Sequence, residues 1–415
     1  MRVWLIEVGE PLRRFEPKVR LWRMRALALE LVRRGHPVTW CASTFDHIHK
    51  RHHADGPAQF EDEGISYRLL HAPAYSRNVS VARLWNHRCL SRLFRKETAR
   101  ATSPDLIVAA LPTIELALAA TDYGRARNIP VVIDIRDLWP DVFATAVPPP
   151  LRPLAQAALV PYRSMARRAL AGADALIAVS DGYLEWGLRQ AGRAQRDADR
   201  VFPLGYPDRA ASAADPRAAL DALHRLGVDP GRRICWFAGT FGRSCDLVTV
   251  IDAAREFQRR GIDEPQFVLC GAGEQDSALR ERACDLRNVV FTGWLDRAQL
   301  EAAGACAWIG LQSYREGVTQ GLANKLFEYL SFGLPVISSL AGENAAFVTQ
   351  HGVGVNYRAG DASSLFESIR ELLADTAKAA SMRARARALF EQKFSATAIY
   401  SQMASHLERL HANRR

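Results

Sequence analysis

The sequence predicts an α/β protein built from two doubly wound parallel sheets. Two observations carry that expectation. Short apolar runs with strand character alternate with helical patterns through both halves of the chain. The length, 415 residues, suits about two domains with full cores, and the composition is ordinary globular, 48% hydrophobic and 24% charged. No run of about 18 uncharged apolar residues occurs, so no membrane span is expected.

The first half opens on Val3-Trp4-Leu5-Ile6, a core strand followed by Gly9. MRVWLIEVGE is too short and too soon acidic for a signal peptide. An apolar helix runs from about Leu21 to Arg34 and ends at Gly35, and Pro37 to Cys41 is a second strand. The turn after the first strand lacks GxGxxG, which counts against a dinucleotide cofactor. His47, His49, His52 and His53 share a basic loop with Lys50 and Arg51, but no carboxylate or Cys completes a metal site at ligand spacing, so a solvated loop is the reading. From Val81 to Arg100, Leu84, Trp85, Leu90, Leu93 and Phe94 interleave with Arg83, Arg88, Arg92, Arg95 and Lys96. That pattern fits a helix lying on an anionic membrane, and equally a core-facing helix with a basic solvated side. Leu151 to Leu170 is a second such candidate. Leu106 to Ala110 is a buried strand, followed by a helix from Ile114 to about Arg127 and a strand from Pro130 to Asp134. Ligands of doubly wound sheets sit at the carboxyl ends of strands. Asp134-Ile135-Arg136-Asp137-Leu138-Trp139-Pro140-Asp141 stands at such an end, as a site candidate or as a structural ion pair. Ala173 to Ser180 is the last strand of this half, and Val201 to Pro207 leads out of it.

The second half opens with Ile234 to Gly239, then Thr240-Phe241-Gly242-Arg243-Ser244-Cys245-Asp246 and a helix to about Arg260. A strand feeding a glycine loop and a helix start can cradle a phosphate, with Arg243 pairing to it, although most βα turns carry glycine for steric reasons. Phe267 to Gly273 and Asn288 to Leu295 are further strand–turn units, taking in Gly271, Trp294 and Leu295. Trp308 to Leu311 is the strand before the central stretch, SYREGVTQGLANKLFEYLSFGLPVISS, residues 313–339. There Leu322, Leu326, Tyr329 and Leu330 fall on one helical face, and Lys325 and Glu328 are neighbours three apart. Gly333 and Pro335 stop the helix. The helix start at Gly321, with Lys325 in its first turn, suits a phosphate, and Glu328 can accept hydrogen bonds from vicinal hydroxyls. An ordinary helix with a surface Lys–Glu pair shows the same spacing. Asp361 to Leu373 and the basic tail from Lys378 are helical.

Net charge is +10 and uneven: residues 1–200 hold 30 Lys/Arg against 21 Asp/Glu, and the remainder 25 against 24. No nucleic-acid motif accompanies the excess, so an anionic membrane surface or lipid-linked acceptor is the better partner, and no nucleic acid is expected. Seven scattered cysteines argue for reduced thiols in a cytoplasmic protein.

Asn324-Lys325-Leu326-Phe327-Glu328, continuing through Pro335-Val336-Ile337, resembles the nucleotide-sugar site of glycosyltransferase family 4, in its branch working on bacterial surface polysaccharides (O-antigen, capsule, exopolysaccharide, N-acetylfucosamine-transferase-like). Asp134 to Asp141 is similar to that branch's IDxRDLWPD run, and Arg33 to Thr39 resembles the family's first strand–helix–strand. The chain departs from the family at Gln320, where a Glu is usual, and at Gly9, where glycines are paired. The resemblance implies the GT-B fold, two Rossmann-like domains facing a cleft. Residues 1–205 would bind the acceptor, 206–385 the nucleotide sugar, and 386–415 would cross back as a helix. It also implies retaining transfer from a nucleotide-diphosphate donor, UDP-linked, to a polyprenyl-diphosphate-linked glycan, by an enzyme peripheral to the inner membrane. No metal or other cofactor is implied. Arg243, Lys325 and the helix start at Gly321 would neutralise the leaving diphosphate, with Gly239 and Gly242 beside it. Glu328 would hold the ribose, and Gly271, Trp294 and Leu295 would pack the base. Gln320 and Glu316 would line the donor sugar, and Arg136 would reach it. Two alternatives share the same donor site: a sugar-nucleotide epimerase, and a silent subunit that binds a partner transferase.

Overall fold

A computed structural model describes residues 1–17, 21–78, 80–99, 101–145, 147, 150, 152–206, 216–318 and 321–414. The chain divides into two compact units, residues 1–204 with 399–415, and residues 205–398.

The first unit carries β1 (Val3–Ile6), α1 (Arg23–Arg33), β2 (Val38–Ser43), β3 (Phe45–Asp46), β4 (Arg51–His52), β5 (Ala58–Asp62), β6 (Ile65–Leu70), α2 (Val81–Thr98), β7 (Leu106–Leu111), α3 (Ile114–Arg127), β8 (Val131–Ile135), α4 (Val142–Thr145), α5 (Arg152–Ala158), α6 (Val160–Gly172), β9 (Ala175–Ala178), α7 (Asp181–Ala191) and β10 (Arg200–Val201). Eight strands form one sheet in the order β10-β9-β8-β7-β1-β2-β6-β5, while β3 and β4 pair separately. All neighbours in the large sheet are parallel except β5 and β6. β7 and β8 are buried along their whole length, as continuous apolar runs covered on both faces must be. In α2, Leu90 and Phe94 face the core, while Val81 and Trp85 stand 82% and 49% exposed.

Asp134, at the end of β8, does not pair with its neighbour Arg136. It takes a buried bidentate ion pair from Arg23, with Nε 2.8 Å from Oδ2 and Nη2 2.9 Å from Oδ1. Nη1 of Arg23 donates to the carbonyls of Phe202 and Pro203 at 2.7 and 3.1 Å. One side chain thus ties the start of α1, the end of β8 and the segment leaving the unit. Asp137 and Asp141 are structural too. Asp137 accepts from the Leu138 amide and the Trp139 indole, and Asp141 accepts from Arg163, Trp186 and Gln190.

The second unit carries α8 (Pro216–Arg225), β11 (Ile234–Ala238), α9 (Leu247–Arg259), β12 (Gln266–Cys270), α10 (Asp276–Arg282), β13 (Val289–Gly293), α11 (Arg297–Cys306), β14 (Ala307–Gln312), α12 (Asn324–Ser331), β15 (Val336–Ser338), α13 (Glu343–His351), β16 (Gly354–Asn356), α14 (Ala362–Ala374) and α15 (Thr376–Lys393). Its six parallel strands run β13-β12-β11-β14-β15-β16. α15 belongs wholly to this unit, so the chain returns at Ile399, within α16 (Ala396–Ala412), later than the expected 386. Arg34 and His36 receive α16 in the first unit: Arg34 donates to Ser401, Ser405 and Glu408, and His36 meets Glu408 at 2.8 Å. All seven cysteines are free, four of them buried.

α12 is locked onto this sheet by glycine. A Cβ on Gly310 of β14 would lie 2.3 Å from the Tyr329 ring, whose hydroxyl donates to the Leu311 carbonyl at 2.9 Å. Gly304 makes the same room for Phe332, and Trp236 meets both rings edge-on. Gly310→Ala should therefore cost about 1–3 kcal/mol of stability by overpacking, measured as a lowered denaturant midpoint; an unchanged midpoint would show that α12 yields easily.

Candidate functional site

The strand order of the second unit changes direction between β11 and β14: the chain leaves β11 towards β12 and leaves β14 towards β15, on the other side. Such a switch point is where open parallel sheets bind ligands, beyond the carboxyl ends of the strands. Residues 239–246 follow β11 and 313–323 follow β14. The two loops are stitched together by Asp246 N donating to Ser313 O at 3.1 Å and Arg315 N donating to Ser244 O at 3.0 Å.

Gly239 and Gly271 are required here by close approach. Gly239 has φ +143°, and a Cβ on it would meet Lys325 Nζ at 2.4 Å. Gly271 has φ +136°, and a Cβ on it would meet the Gly239 carbonyl at 1.9 Å. Gly239 N donates to Cys270 O, and Gly271 N to Gly293 O, so the ends of β11, β12 and β13 are drawn together.

Two helices start at this edge, and they differ electrostatically. α9 is capped by Asp246, whose carboxylate accepts from the Thr249 amide at 3.3 Å and hydroxyl at 2.6 Å. A carboxylate already occupies this helix start, which makes it less favourable to an anion than an uncapped one. α12 begins at Asn324 rather than Gly321, because Ala323 is extended (φ −74°, ψ 147°), and no side chain caps it. An uncapped start offers amide donors and positive potential to an anion.

Lys325 lies in the first turn of α12, its Nζ 4.7 Å from the centre of the Phe237 ring. Glu328 is one turn deeper and buried, and Tyr206 Oη donates to its Oε1 at 2.9 Å. Tyr206 was not singled out by sequence, since it precedes Glu328 by 122 positions and nothing local marks it. The structure therefore brings together Gly239, Gly271, Lys325 and Glu328, with Gly321 half-buried just ahead of α12. Arg243 stands apart, 88% exposed and paired to Glu274 at 3.1 Å, on the turn after Gly242. Trp294 is 65% exposed beyond β13, with Leu295 half-buried beside it, and Glu316 is exposed. Gln320 lies outside the described residues.

The first unit has its own switch point between β1 and β7. Beyond β1, Glu7 accepts from the amides of Gly9 and Glu10 at 2.9 and 2.7 Å. Glu10 accepts from the Met24 amide at 2.8 Å and the Arg25 amide at 3.3 Å, capping α1 from a distance. Arg136 reaches this loop from β8, bonded to Glu10 and 3.9 Å from Glu7, and its buried Nη1 makes no hydrogen bond among the described residues. Burial, then the neighbouring Glu10 charge, pushes the Glu7 carboxyl up to about 7, against the pull of Arg136. A group raised on folding stabilises the fold fully below its unfolded value and loses that contribution as pH rises through its folded value. For Glu7 that window runs from 4.5 to about 7. Native protein should lose more stability than Glu7→Gln between pH 5 and 7.5, read from denaturant midpoints; equal losses would mean that Glu7 is ionised throughout.

Two family models match the chain: "Glycosyl transferase 4-like domain" over residues 22–206, and "Glycosyl transferases group 1" over 232–375. Among solved structures, sucrose-phosphate synthase from Thermosynechococcus elongatus aligns with TM-score 0.71 at 18% identity, covering 99% of each chain. HepE from Anabaena, solved with UDP, aligns with TM-score 0.65 at 18% identity, over 99% of this chain and 100% of that one. Trehalose 6-phosphate synthase from Burkholderia multivorans aligns with TM-score 0.67 at 14% identity, over 100% and 99%. At these identities the likeness is one of fold. No curated protein matches the chain. The two parallel-sheet units carry the GT-B fold, and with both halves matched to glycosyltransferase models, the chain belongs to the GT4-type glycosyltransferases.

Proposed function

We propose that this glycosyltransferase moves a sugar from a UDP-linked donor to a polyprenyl-diphosphate-linked glycan, with retention, in bacterial surface-polysaccharide synthesis. The observation that carries the reading is the uncapped start of α12 at the second switch point, with Lys325 in its first turn and buried Glu328 one turn deeper. HepE, a structural neighbour, was solved with UDP and with UDP-glucose, which supports the donor class.

In this reading the α12 amides and Lys325 receive the diphosphate, and Arg243 swings from Glu274 to join them. An exposed ion pair is worth little, so that rearrangement is cheap. The bond from the anomeric carbon to the diphosphate oxygen breaks as the acceptor hydroxyl bonds the same face. The hydroxyl proton passes to the departing phosphate oxygen. Stabilising the leaving group carries most of the rate, and fixed cations do this without a metal. Glu328 accepts from the ribose hydroxyls, and Glu316 lines the sugar.

Calorimetric titration with UDP, GDP, ADP and NAD in EDTA tests the donor class. UDP alone should bind, and Glu328→Ala should weaken it by about 1–3 kcal/mol, the scale of a hydrogen bond to a charged group. Unchanged UDP affinity in that variant would remove the ribose role, and UDP binding without turnover on any acceptor would favour the silent-subunit reading.

Among the described residues no helix is long and apolar enough to cross a membrane. The exposed Val81 and Trp85 on α2, and Leu154 and Val160 on α5 and α6, suit contact with a membrane surface instead. Replacing Arg88, Arg92 and Lys96 by Glu, leaving Arg95 to its Asp122 partner, should release the protein from anionic liposomes in a sedimentation assay; retained binding would clear α2 of that role.

A further inference from the structure

The imidazole-rich loop between β3 and β4 acquires carboxylates that its own sequence spacing hides. Asp46 closes β3, and Glu16 comes from the segment after β1, thirty positions earlier. Ligand atoms of Glu16, Asp46 and His53 lie within 4.8 Å of one another. His49 Nδ1 stands 2.7 Å from Glu16 Oε1 and 2.8 Å from Asp46 Oδ2. Two carboxylates and two imidazoles thus converge; the His49 imidazole is hydrogen-bonded to Asp46, while the buried Glu16 Oε1 makes no hydrogen bond among the described residues.

His53 is the observation that points beyond this internal pairing. Its side chain is only 8% exposed and is stacked flat on Phe15 with ring centres 4.3 Å apart. Its ring makes no hydrogen bond among the described residues, yet Nε2 is aimed at Asp46 Oδ2 from 3.5 Å. A buried imidazole nitrogen facing a carboxylate at that distance leaves space for an ion between them. The other Asp46 oxygen is held by the amides of Ile48 and His49 at 2.7 and 3.0 Å, which fixes the direction of Oδ2. Such outer contacts orient ligands at metal centres. His49, half-exposed, gives a route in from solvent.

We propose that Glu16, Asp46, His49 and His53 bind a divalent transition-metal cation of the Zn²⁺ class. Mixed imidazole and carboxylate donors suit that class, and four ligands suit a closed structural site. The cation takes the place of the His49 proton on Asp46 and gives the unbonded Glu16 Oε1 a partner. It would clamp residues 15–16, in the segment that also carries Glu7 and Glu10, to the β3–β4 turn. The role is structural and independent of the donor reading, since the nucleotide site belongs to the other unit.

The test uses the full chain, stripped with chelator and titrated with ZnCl₂ by calorimetry, with metal content checked by mass spectrometry. One Zn²⁺ per chain is expected. His53→Gln and Asp46→Asn should each weaken it more than ~100-fold, beyond the 10–100-fold typical of losing an outer-shell contact. His351→Ala, in the second unit, should leave it unchanged. Asp46 also organises its own turn, so His53→Gln is the variant that keeps its fold, checked by circular dichroism. On native protein, Co²⁺ should give visible absorption of a four-coordinate site, lost on adding Zn²⁺. Absence of stoichiometric Zn²⁺ binding, or equal binding by His53→Gln, would overturn the proposal.

Discussion

The Tyr329 ring lying flat against Gly310 sets the geometry on which the donor site depends. Gly310 belongs to β14, whose carboxyl end opens the switch point, and Tyr329 belongs to α12, whose start faces it. With no Cβ between them, helix and strand approach until the tyrosine hydroxyl can bond the Leu311 carbonyl. Phe332 over Gly304 fixes the far end of the helix in the same manner. Lys325 and Glu328 therefore ride on an element whose rotation and height are set by packing rather than by their own contacts. Close-packed interiors transmit such constraints because they deform little.

The first unit solves a different problem, that of charges at the buried edge of a sheet. Asp134 is fully buried, and a buried carboxylate requires a partner and filled lone pairs. Arg23 supplies both, and spends its remaining donors on two backbone carbonyls. Arg136, two residues on, faces the other way towards Glu10 and Glu7. Two acids face one guanidinium, so burial and then the Glu10 charge raise Glu7 against the pull of Arg136. The loop after β1 thus holds a carboxyl that changes charge near neutral pH, beside an arginine with a buried, unbonded Nη1.

Sequence periodicity made the main strands and helices legible because each buries a long apolar face. Ile114 to Arg127 was bounded at both ends, and the strand at Val336 was placed by Gly333 and Pro335. β3 to β6 were not drawn from the sequence, although β5 and β6 alternate in burial at the period of a strand; β3 and β4 are only two residues each. In the site, Lys325 and Glu328 were legible because both lie on one helix. The partner of Asp134 was not, because Arg23 is 111 positions away, and neither was Tyr206 beside Glu328. Long-range pairs leave no mark on local spacing. Glu16 near His53 escaped for the same reason, since it meets the loop only through the fold, whereas Asp46, three residues before His49, was within reach of local spacing.

The start of α9 shows where a rule was available and was outweighed. Asp246 directly before an apolar helical run is an N-cap signal, and a capped helix start is a poor anion site. The glycine loop before it is what suggested a phosphate cradle at this helix start as well as at α12. Once Asp246 is assigned as the cap, Gly239 has its own cause in its φ of +143° and its close approach to Lys325. The missing side chain of Gly239 lets the β11 loop pass close to the ammonium, which stands in the first turn of α12, a helix start that no side chain caps among the described residues. Arg243, on the same loop but 88% exposed, is then a second cation that binding can recruit, while Lys325 is one that folding has already placed.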